Sequence, residues 1–255
     1  MVPLSFTRSA TSFFAFAGQE MRLVLGRALH WVEEGALLVA DLHLEKGSFF
    51  ARAGQMVPPY DSRATLEALA LALRETGARK VFCLGDSFHD REGAVRLEPH
   101  AAGMLDALTR ATEWVWITGN HDPVIASPVG GERLPEIAVR GLCLRHEARP
   151  AAGTAPKPGS AADGETESAA GEAEISGHFH PRLAITLRGR RITRPCAVTS
   201  ERRMILPAFG ALTGGLDAGA PAILAALQPA RVIDALAPAG GRLLRYPLWR
   251  DGHSA

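Results

Sequence analysis

The chain has 255 residues, of which 47% are hydrophobic and 22% charged, and its formal net charge is +1 at pH 7. This composition is ordinary for a globular soluble protein that can bury a large core. The near-zero charge excludes attraction of a polyanion by the molecule as a whole, although a local basic patch could still bind one. No run approaches the roughly 18–20 apolar residues of a membrane helix, so we expect no membrane span and a cytoplasmic location.

The first elements predicted along the chain are β-strands. The apolar stretch at 12–18 follows Arg8 but is too short for a signal peptide, and we interpret it as an edge strand. Residues 21–26 and 28–32 have the pattern of a hairpin, and the wholly apolar run 36–40 is typical of a buried strand.

Helices and strands then alternate. Residues 61–77 predict a helix that Asp61 or Ser62 can cap and Gly77 can end. The next predicted elements are a buried strand at 80–84, a helix at 99–110 with proline in its first turn, and a strand at 113–118. This alternation predicts an α/β domain with a largely parallel or mixed sheet, in which ligands gather at the carboxyl ends of the strands.

Residues 148–172 interrupt the alternation with a run of Ala, Gly, Pro, Ser and Glu that has no large apolar side chain. Such a run cannot bury enough surface to offset its ordering entropy, so we predict a disordered loop inserted between two strands. The chain is therefore expected to form a single domain over residues 1–255. A further hairpin is predicted after the loop, and the three cysteines, none in CxxC spacing, are expected to be buried thiols.

Four motifs that combine Asp, Asn and His each follow an apolar run: ADLH (40–43), GDSFHD (85–90), GNHD (119–122) and GHFH (177–180). A fifth run, LCLRH (142–146), ends in a histidine in the same way. Each motif alone has a structural alternative, because Asp and His also occur in turns and on solvated hairpins. Together they supply oxygen and imidazole donors without a thiolate, a set that suits two divalent metals such as Mn, Fe or Zn.

An extended backbone would bring the donors of each motif together. Because side chains alternate along a strand, Asp41 and His43 would lie on one face where their strand ends, as would His178 and His180. Asp86 would emerge at the sheet edge, where a carboxylate can give one oxygen to each of two ions. Two cations about 3.5–4 Å apart can clamp a phosphate and acidify a bound water, which then attacks in line.

The order DxH, GD, GNHD, H and GHxH resembles that of the calcineurin-like metallophosphoesterases, over residues 36–180. More narrowly, ADLHLEKG, GDSFHD, TGNHD, LRHE, EISGHFHP and LPAFGALTGGLD are similar to the motifs of the ligase-associated DNA-damage-response endonuclease family (PdeM). This narrower likeness runs over roughly residues 14–215, interrupted by the loop. It implies an α/β fold, a four-layer α/β/β/α sandwich with two central mixed sheets.

The resemblance also implies roles for the residues at matching motif positions. Those that resemble metal ligands are Asp41, His43 and His180 for a first ion, Asp86 as the bridge, and Asn120, His146 and His178 for a second. His121 resembles the histidine that approaches the scissile phosphate, with Asp122 orienting or tuning its imidazole. The cofactors implied are two divalent metal ions, Mn²⁺ first, with Fe and Zn as alternatives. Because the motif around His146 is short, the alternative interpretation of this residue is an ordinary surface histidine.

Two features beyond the metal ligands bear on the substrate. His89 in GDSFHD could contact a phosphate or sugar of a strand, or simply form a hydrogen bond within its loop. Residues 182–203 contain seven arginines against one acid, and Arg190 with Arg191 could hold a nucleic-acid backbone beside the site. The alternative for this segment is a solvated arginine-rich hairpin.

The aromatic residues and the glycine-rich stretch near the motifs each admit two interpretations. Phe49, Phe50 and Phe88 could stack on bases, although core packing is favoured for at least two of them. The glycines within LPAFGALTGGLD, residues 206–217, could let the backbone approach the site closely or could merely form turns.

The favoured function is that of a Mn-dependent DNA endonuclease or phosphodiesterase in DNA repair. The alternative among enzymes is a phosphatase or cyclic-nucleotide phosphodiesterase acting on small molecules, and a metal-dependent scaffold that does not cleave is the alternative of another class. The chain shows no GxSxG element and no P-loop, so nucleophilic and nucleotide-triphosphate chemistry have no support. Expected partners are single-stranded or nicked DNA and, by the family resemblance, a DNA ligase and a helicase, with a homodimer left open.

Overall fold

The computed structural model describes residues 7–8, 13–125, 129–149, 173–187, 189–239 and 242–251. The strands are, in chain order, β1 (Thr7–Arg8), β2 (Phe13–Phe16), β3 (Gln19–Val24), β4 (Ala28–Trp31), β5 (Ala36–Val39), β6 (Lys80–Leu84), β7 (Glu113–Ile117), β8 (Glu132–Leu134), β9 (Glu136–Val139), β10 (Leu142–Arg145), β11 (Ala173–Ser176), β12 (Arg182–Leu187), β13 (Arg190–Pro195), β14 (Ala197–Thr199), β15 (Arg203–Ile205), β16 (Val232–Ala239) and β17 (Arg242–Arg250). The helices are α1 (Lys46–Arg52), α2 (Asp61–Thr76), α3 (Gly93–Arg96), α4 (Pro99–Ala111) and α5 (Pro221–Ala226). Over the residues described, none of these helices is long and apolar enough to cross a membrane.

Within the described residues, β2 to β8 form a seven-stranded sheet in sequential order. Strands β2 to β5 pair antiparallel and β5 to β8 pair in parallel, so the sheet is mixed. The predicted edge strand is confirmed as β2, and the predicted hairpin as β3 with β4.

A second sheet of the described chain has eight strands in the order β1, β17, β16, β14, β15, β11, β10, β9. Its central strands β10, β11 and β15 pair in parallel and the others pair antiparallel. The predicted loop joins two neighbouring strands of this sheet, β10 and β11, but residues 150–172 lie outside the described part of the chain. Strands β12 and β13 form a separate two-stranded ribbon, the hairpin predicted after the loop.

The two sheets pack face to face, and helices cover their outer faces. Strand β6 shows how the sequence encodes this: Phe82 and Leu84 point into the core between the sheets, whereas Val81 and Cys83 point to the core under α2 and α4. Because both faces are buried, the strand is a continuous apolar run rather than an alternating one. Helix α5 packs on the outer face of the second sheet. The four-layer sandwich with two mixed sheets is therefore confirmed.

The start of α2 differs from the prediction. The residue before the helix is Tyr60, and no side chain caps the first turn. Instead, the carboxylate of Asp61 accepts a hydrogen bond from the Gly47 N–H, and the hydroxyl of Ser62 bonds to both the N–H and the carboxylate of Glu45. The two predicted capping residues therefore anchor the short helix α1 against α2.

Candidate metal centre

The functional motifs meet at one edge of the sandwich because parallel strands of both sheets end there. The strands that precede them are β5 for Asp41 and His43, β6 for Asp86, β7 for Asn120 and His121, β10 for His146, and β11 for His178 and His180. The sheets are joined at this edge by backbone pairing of Ala40 with Ala208. The Phe209 N–H donates to the Ala40 carbonyl at 2.8 Å.

The first group of converging donors comprises Asp41, His43 and His180. The Nε2 atoms of His43 and His180 lie 3.3 Å apart, and His180 Nε2 is 3.4 Å from Asp41 Oδ1. Asp41 is fully buried, and both of its carboxylate oxygens also accept from the backbone N–H of His178, at 3.1 and 3.0 Å. That contact links the first group to the second sheet.

The second group comprises Asp86, His146 and His178, with Asn120 beside them. Asn120 Oδ1 lies 2.9 Å from His146 Nε2 and 3.1 Å from His178 Nδ1. The two imidazoles approach each other to 3.2 Å through the same nitrogens. His146 is 6% exposed, which contradicts its alternative interpretation as a surface histidine.

Asp86 spans the two groups. Its Oδ2 lies 3.4 Å from His146 Nε2 on one side and 4.0 Å from His43 Nε2 on the other. Its Oδ1 accepts a hydrogen bond from the His121 N–H at 2.9 Å, which fixes the orientation of the carboxylate. Asp86 thus reaches donors of both groups through a single carboxylate oxygen.

The spacing of these donors fits divalent cations. Ligand atoms about 2.0–2.2 Å from a metal lie about 3.0–3.5 Å from each other in tetrahedral or octahedral geometry. The closest contacts within the two groups fall between 2.9 and 3.4 Å. His146 Nδ1 lies 3.1 Å from the Leu84 carbonyl oxygen, so Nε2 is the nitrogen directed at the other donors. The residues present therefore fit two bound ions.

The backbone that presents the ligands is not extended. Asp41, His43, Asp86, His178 and His180 all have positive φ angles, between 44° and 72°, in the left-handed region. The prediction that a strand-like period of two places the paired side chains together is therefore wrong in its mechanism. Left-handed residues turn the chain just beyond β5, β6 and β11 and so bring these donors together.

Burial governs the protonation of the imidazoles. It lowers the pKa of His43 to about 2, with the neighbouring His180 adding to the effect, and it also lowers the pKa of His178. Both rings are thus neutral at pH 7, the form in which histidine binds a metal. Burial acts in the same direction on His146, but its hydrogen bond to Asp86 and the charges of Asp41 and Asp86 outweigh burial and raise its pKa to about 9. A proton must therefore leave His146 when a metal binds.

The pKa of Asp86 shifts in the opposite direction to that of His146. Burial acts to raise the pKa of its carboxyl, but the hydrogen bond and the charge of His146 outweigh it and lower the pKa to about 2. Asp86 is therefore ionised at neutral pH and can serve as a ligand to two cations.

The histidine predicted to act on substrate, His121, lies beside the two groups and outside them. Its Nδ1–H donates to the backbone carbonyl of His89 at 2.9 Å, and its Nε2 lies 4.0 Å from Asp86 Oδ2. Asp122, which was predicted to orient or tune the His121 imidazole, forms no hydrogen bond with that ring among the described residues. The buried Asp122 carboxylate accepts from the N–H groups of Phe88 and Gly119 instead, at 3.0 and 3.1 Å, and burial raises its pKa to about 6.

His89 packs into the same corner. Its Nδ1 is 3.4 Å from His43 Nδ1, and its ring stacks on His121 with centroids 5.1 Å apart. Its other neighbours are the rings of Phe49 and Phe50, at 4.7 and 5.7 Å between centroids. Burial and the Lys46 ammonium, in that order, lower the pKa of His89 to about 4. The His89 ring is therefore a neutral group beside the first metal position.

The core-packing prediction for the phenylalanines is wrong for two of the three. Phe88 is buried at 1% exposure and packs against Trp116. Phe49 is 39% exposed and Phe50 is half-buried, because both lie on the outer side of the short helix α1. Two aromatic rings are thus accessible next to His89.

The glycine-rich stretch after β15 closes one side of the site. A Cβ atom at Gly210 would lie 2.2 Å from the Leu42 carbonyl oxygen, so the close-approach interpretation is confirmed there. The Gly210 N–H donates to the Asp41 carbonyl at 3.2 Å. The Arg27 guanidinium donates to the carbonyls of Phe209 and Gly210, at 3.2 and 2.9 Å. Nothing in the sequence points to Arg27, because a lone arginine in a hairpin turn carries no motif.

The arginine ribbon begins beside the centre but extends away from it. Arg190 and Arg191 are exposed and, within the described part of the chain, form no ion pair. They lie near the tip, about 14–17 Å from the ribbon base at the rise of an extended strand. Arg190 shares a face with Ile192, which pairs with the partly buried Ile185, whereas Arg191 lies on the opposite face. The structure therefore does not bring these two arginines into the metal centre.

Residues 36–160 match the family described as calcineurin-like phosphoesterase. The crystal structure of the nuclease MPE of Pseudomonas putida is similar, with a TM-score of 0.62 at 25% sequence identity, covering 96% of this chain and 100% of that chain. Yfce, a phosphoesterase from E. coli, gives a TM-score of 0.33 at 15% identity over 79% of this chain and 87% of that chain, which is too distant to support an argument. No curated protein matches the chain.

Proposed function

Because the chain belongs to the calcineurin-like phosphoesterases, a family of metal-dependent hydrolases, we propose that it is a nuclease that hydrolyses phosphodiester bonds in DNA. The observation that carries this proposal is the Asp86 carboxylate, which lies between two groups of metal donors. Two ions held on either side of one carboxylate form the arrangement used to cleave phosphate esters.

The proposed ligands of each ion come from both sheets. Asp41, His43 and His180 would hold one ion, and Asn120, His146 and His178 the other, with Asp86 shared. When bound, the ions neutralise phosphoryl charge and make a water nucleophilic near neutral pH. The donor set of oxygens and imidazoles favours Mn²⁺, with Fe and Zn as alternatives.

His121 is the proposed catalytic residue. Its Nδ1–H is held by the His89 carbonyl, so its Nε2 is the nitrogen that faces the centre. With a proton on Nε2, the ring can donate to a phosphoryl oxygen or deliver the proton to the leaving alkoxide. Asp122 supports this geometry indirectly, because its carboxylate fixes the backbone at both Gly119 and Phe88.

Three observations support DNA as the substrate. The similar protein from Pseudomonas putida is named a nuclease. Exposed aromatic rings lie beside His89, and an arginine ribbon begins two residues after His180. A single-stranded or nicked strand suits these features, since unstacked bases can reach aromatic side chains. By the narrower family resemblance we also propose a DNA ligase and a helicase as partners in a repair pathway.

The proposal is tested by supplying Mn²⁺ and following cleavage of single-stranded DNA, duplex DNA and a small phosphodiester side by side. We expect the DNA strands to be cut, and Asp86→Asn to lower the rate at least about 100-fold because the shared ligand is lost. Metal analysis should find two ions per chain in the wild type and fewer in the variant.

Asp106→Asn is the matched control, because Asp106 is an exposed residue of α4 paired with Arg110. It should cleave and bind metal as the wild type does. Turnover of the small phosphodiester without any DNA cleavage would contradict the proposal and favour the small-molecule alternative. Full activity of Asp86→Asn would show that the shared ligand is misassigned.

A further inference from the structure

A cavity of about 300 Å³ lies beside the metal centre, between helix α1 and the glycine-rich stretch after β15. One wall is formed by Lys46, Phe50 and Val57, and the other by residues 211–214. We call it the α1 pocket. The mechanism proposed above does not use it.

The α1 pocket borders the metal centre through both of its walls. Phe50, in its first wall, contacts the His89 ring at 5.7 Å between centroids. The second wall follows directly on Gly210, whose N–H bonds to the backbone of the metal ligand Asp41. A group bound in the pocket would therefore be a near neighbour of a phosphate held at the centre.

The two walls are held in place by bonds to the rest of the fold. The α1 wall is anchored through Glu45 and Gly47 to the first residues of α2. On the other side, the Ala211 N–H donates to the Thr65 hydroxyl at 2.9 Å, and Thr213 donates to the Gly210 carbonyl at 2.9 Å. A preformed pocket binds without the loss of free energy that ordering its walls would require.

The chemistry of the walls is that of a site for a flat, apolar ring next to a negative charge. The half-buried Phe50 offers an aromatic surface and Lys46 an ammonium group. The same segment carries Phe49, Met56 and Tyr60, which are 39%, 90% and 69% exposed. Large apolar side chains that remain exposed along one segment are typical of a surface that meets a ligand.

We propose that the α1 pocket receives an unpaired nucleobase of the strand whose phosphate lies at the metal centre. The base stacks on Phe50, and Lys46 contacts an adjacent phosphate. This inference rests on the proposed function and adds a base-binding subsite to it, which a base inside a duplex cannot enter without leaving its stack.

The test compares two fluorescein-labelled strands of equal length, an oligothymidylate and a strand of base-free tetrahydrofuran sugars with the same phosphates. Affinity for the full chain is measured by fluorescence anisotropy with Mn²⁺ present, and the same samples are run on a denaturing gel to record cleavage. The wild type should bind the strand with bases about tenfold more tightly, the effect of stacking a single base. Phe50→Leu should reduce that ratio about fivefold.

Phe13→Leu is the matched control, since Phe13 is 38% exposed on the edge strand β2 and should leave the ratio at the wild-type value. Equal affinity of the wild type for the two strands would overturn the pocket, whether or not DNA is cut. An unchanged ratio in Phe50→Leu would also overturn it. Base-dependent binding without cleavage would support the pocket while contradicting the nuclease, so the two proposals fail separately.

Discussion

Gly119, the first residue of the GNHD motif, has no room for a side chain. A Cβ atom there would lie 2.2 Å from Asp86 Oδ1 and 2.3 Å from the Asp86 backbone nitrogen. A glycine is therefore required at this position for Asp86, the shared ligand, to pack against the backbone. Gly119 also directly precedes the proposed ligand Asn120. Its N–H also binds the Asp122 carboxylate at 3.1 Å.

Gly119→Ala should therefore displace Asp86 and weaken Mn²⁺ binding at least about tenfold, the size of effect seen when the support of a ligand is lost. Titration followed by metal analysis measures the change. Gly103→Ala is the control, because a Cβ at Gly103 in α4 meets nothing within 4 Å. It should bind Mn²⁺ normally and stabilise the helix by about 1 kcal/mol. Normal metal binding by Gly119→Ala would show that Asp86 is not held as described.

The identities of the ligands could be predicted from the sequence, because Asp, Asn and His at strand ends are chemically conspicuous. The hydrogen-bond partner of His121 could not be predicted. It is the backbone carbonyl of His89, and every residue has such a carbonyl. The role of Asp122 was missed for the same reason, since it binds N–H groups rather than a side chain.

The β12–β13 ribbon extends away from the metal centre, so Arg190 and Arg191 near its tip lie outside that centre. Arg190 and Arg191 lie on opposite faces, so one strand of DNA running along the ribbon can meet only one of them directly. A contact at the tip would be made several nucleotides from the cleaved bond.

Neutralising each arginine alone should therefore have unequal effects. We expect one of Arg190→Ala and Arg191→Ala to lower the slope of log affinity against log salt by about 0.7–0.9, and the other to change it little. Binding of long single strands is measured over a range of salt concentrations, and binding of a very short strand, which cannot reach the tip, is the control. If neither variant changes the slope for long strands, the ribbon does not contact DNA.

The strands of both sheets were predictable where two buried faces leave an uninterrupted apolar run, as in KVFCL of β6. Helix α1 was not predicted. It has only seven residues, and its position depends on contacts with Asp61 and Ser62, which local pattern assigned to a cap on α2. The left-handed turns after β5 and β11 were equally hidden, since their left-handed residues are Asp and His rather than glycine.

For the molecule as a whole, the metal centre joins two sheets. The first sheet supplies Asp41, His43, Asp86 and Asn120, and the second supplies His146, His178 and His180. Bound ions therefore oppose separation of the two layers, in addition to the apolar core between them. Binding only to the folded state stabilises a protein in proportion to the logarithm of ligand concentration.

We expect Mn²⁺ at about 100-fold above the Kd of a site to stabilise the fold by about 2.7 kcal/mol, which corresponds to a rise in Tm of about 5–10 °C. Differential scanning calorimetry of the full chain with Mn²⁺ and with a chelator measures the difference. Asp86→Asn should show a much smaller rise. A Tm that does not respond to Mn²⁺ in the wild type would contradict a centre shared between the sheets.

Five of the proposed ligand residues adopt left-handed backbone without being glycine. Each such residue carries local strain of about 1 kcal/mol or more, which the packed sandwich around it sustains. Selection for thermal stability alone would favour glycine at these positions and so would remove the donors. Variants of this chain adapted to heat must therefore gain their stability elsewhere, in the cores or on the surface. At this edge of the sandwich, a substitution that relieves backbone strain also removes a metal donor.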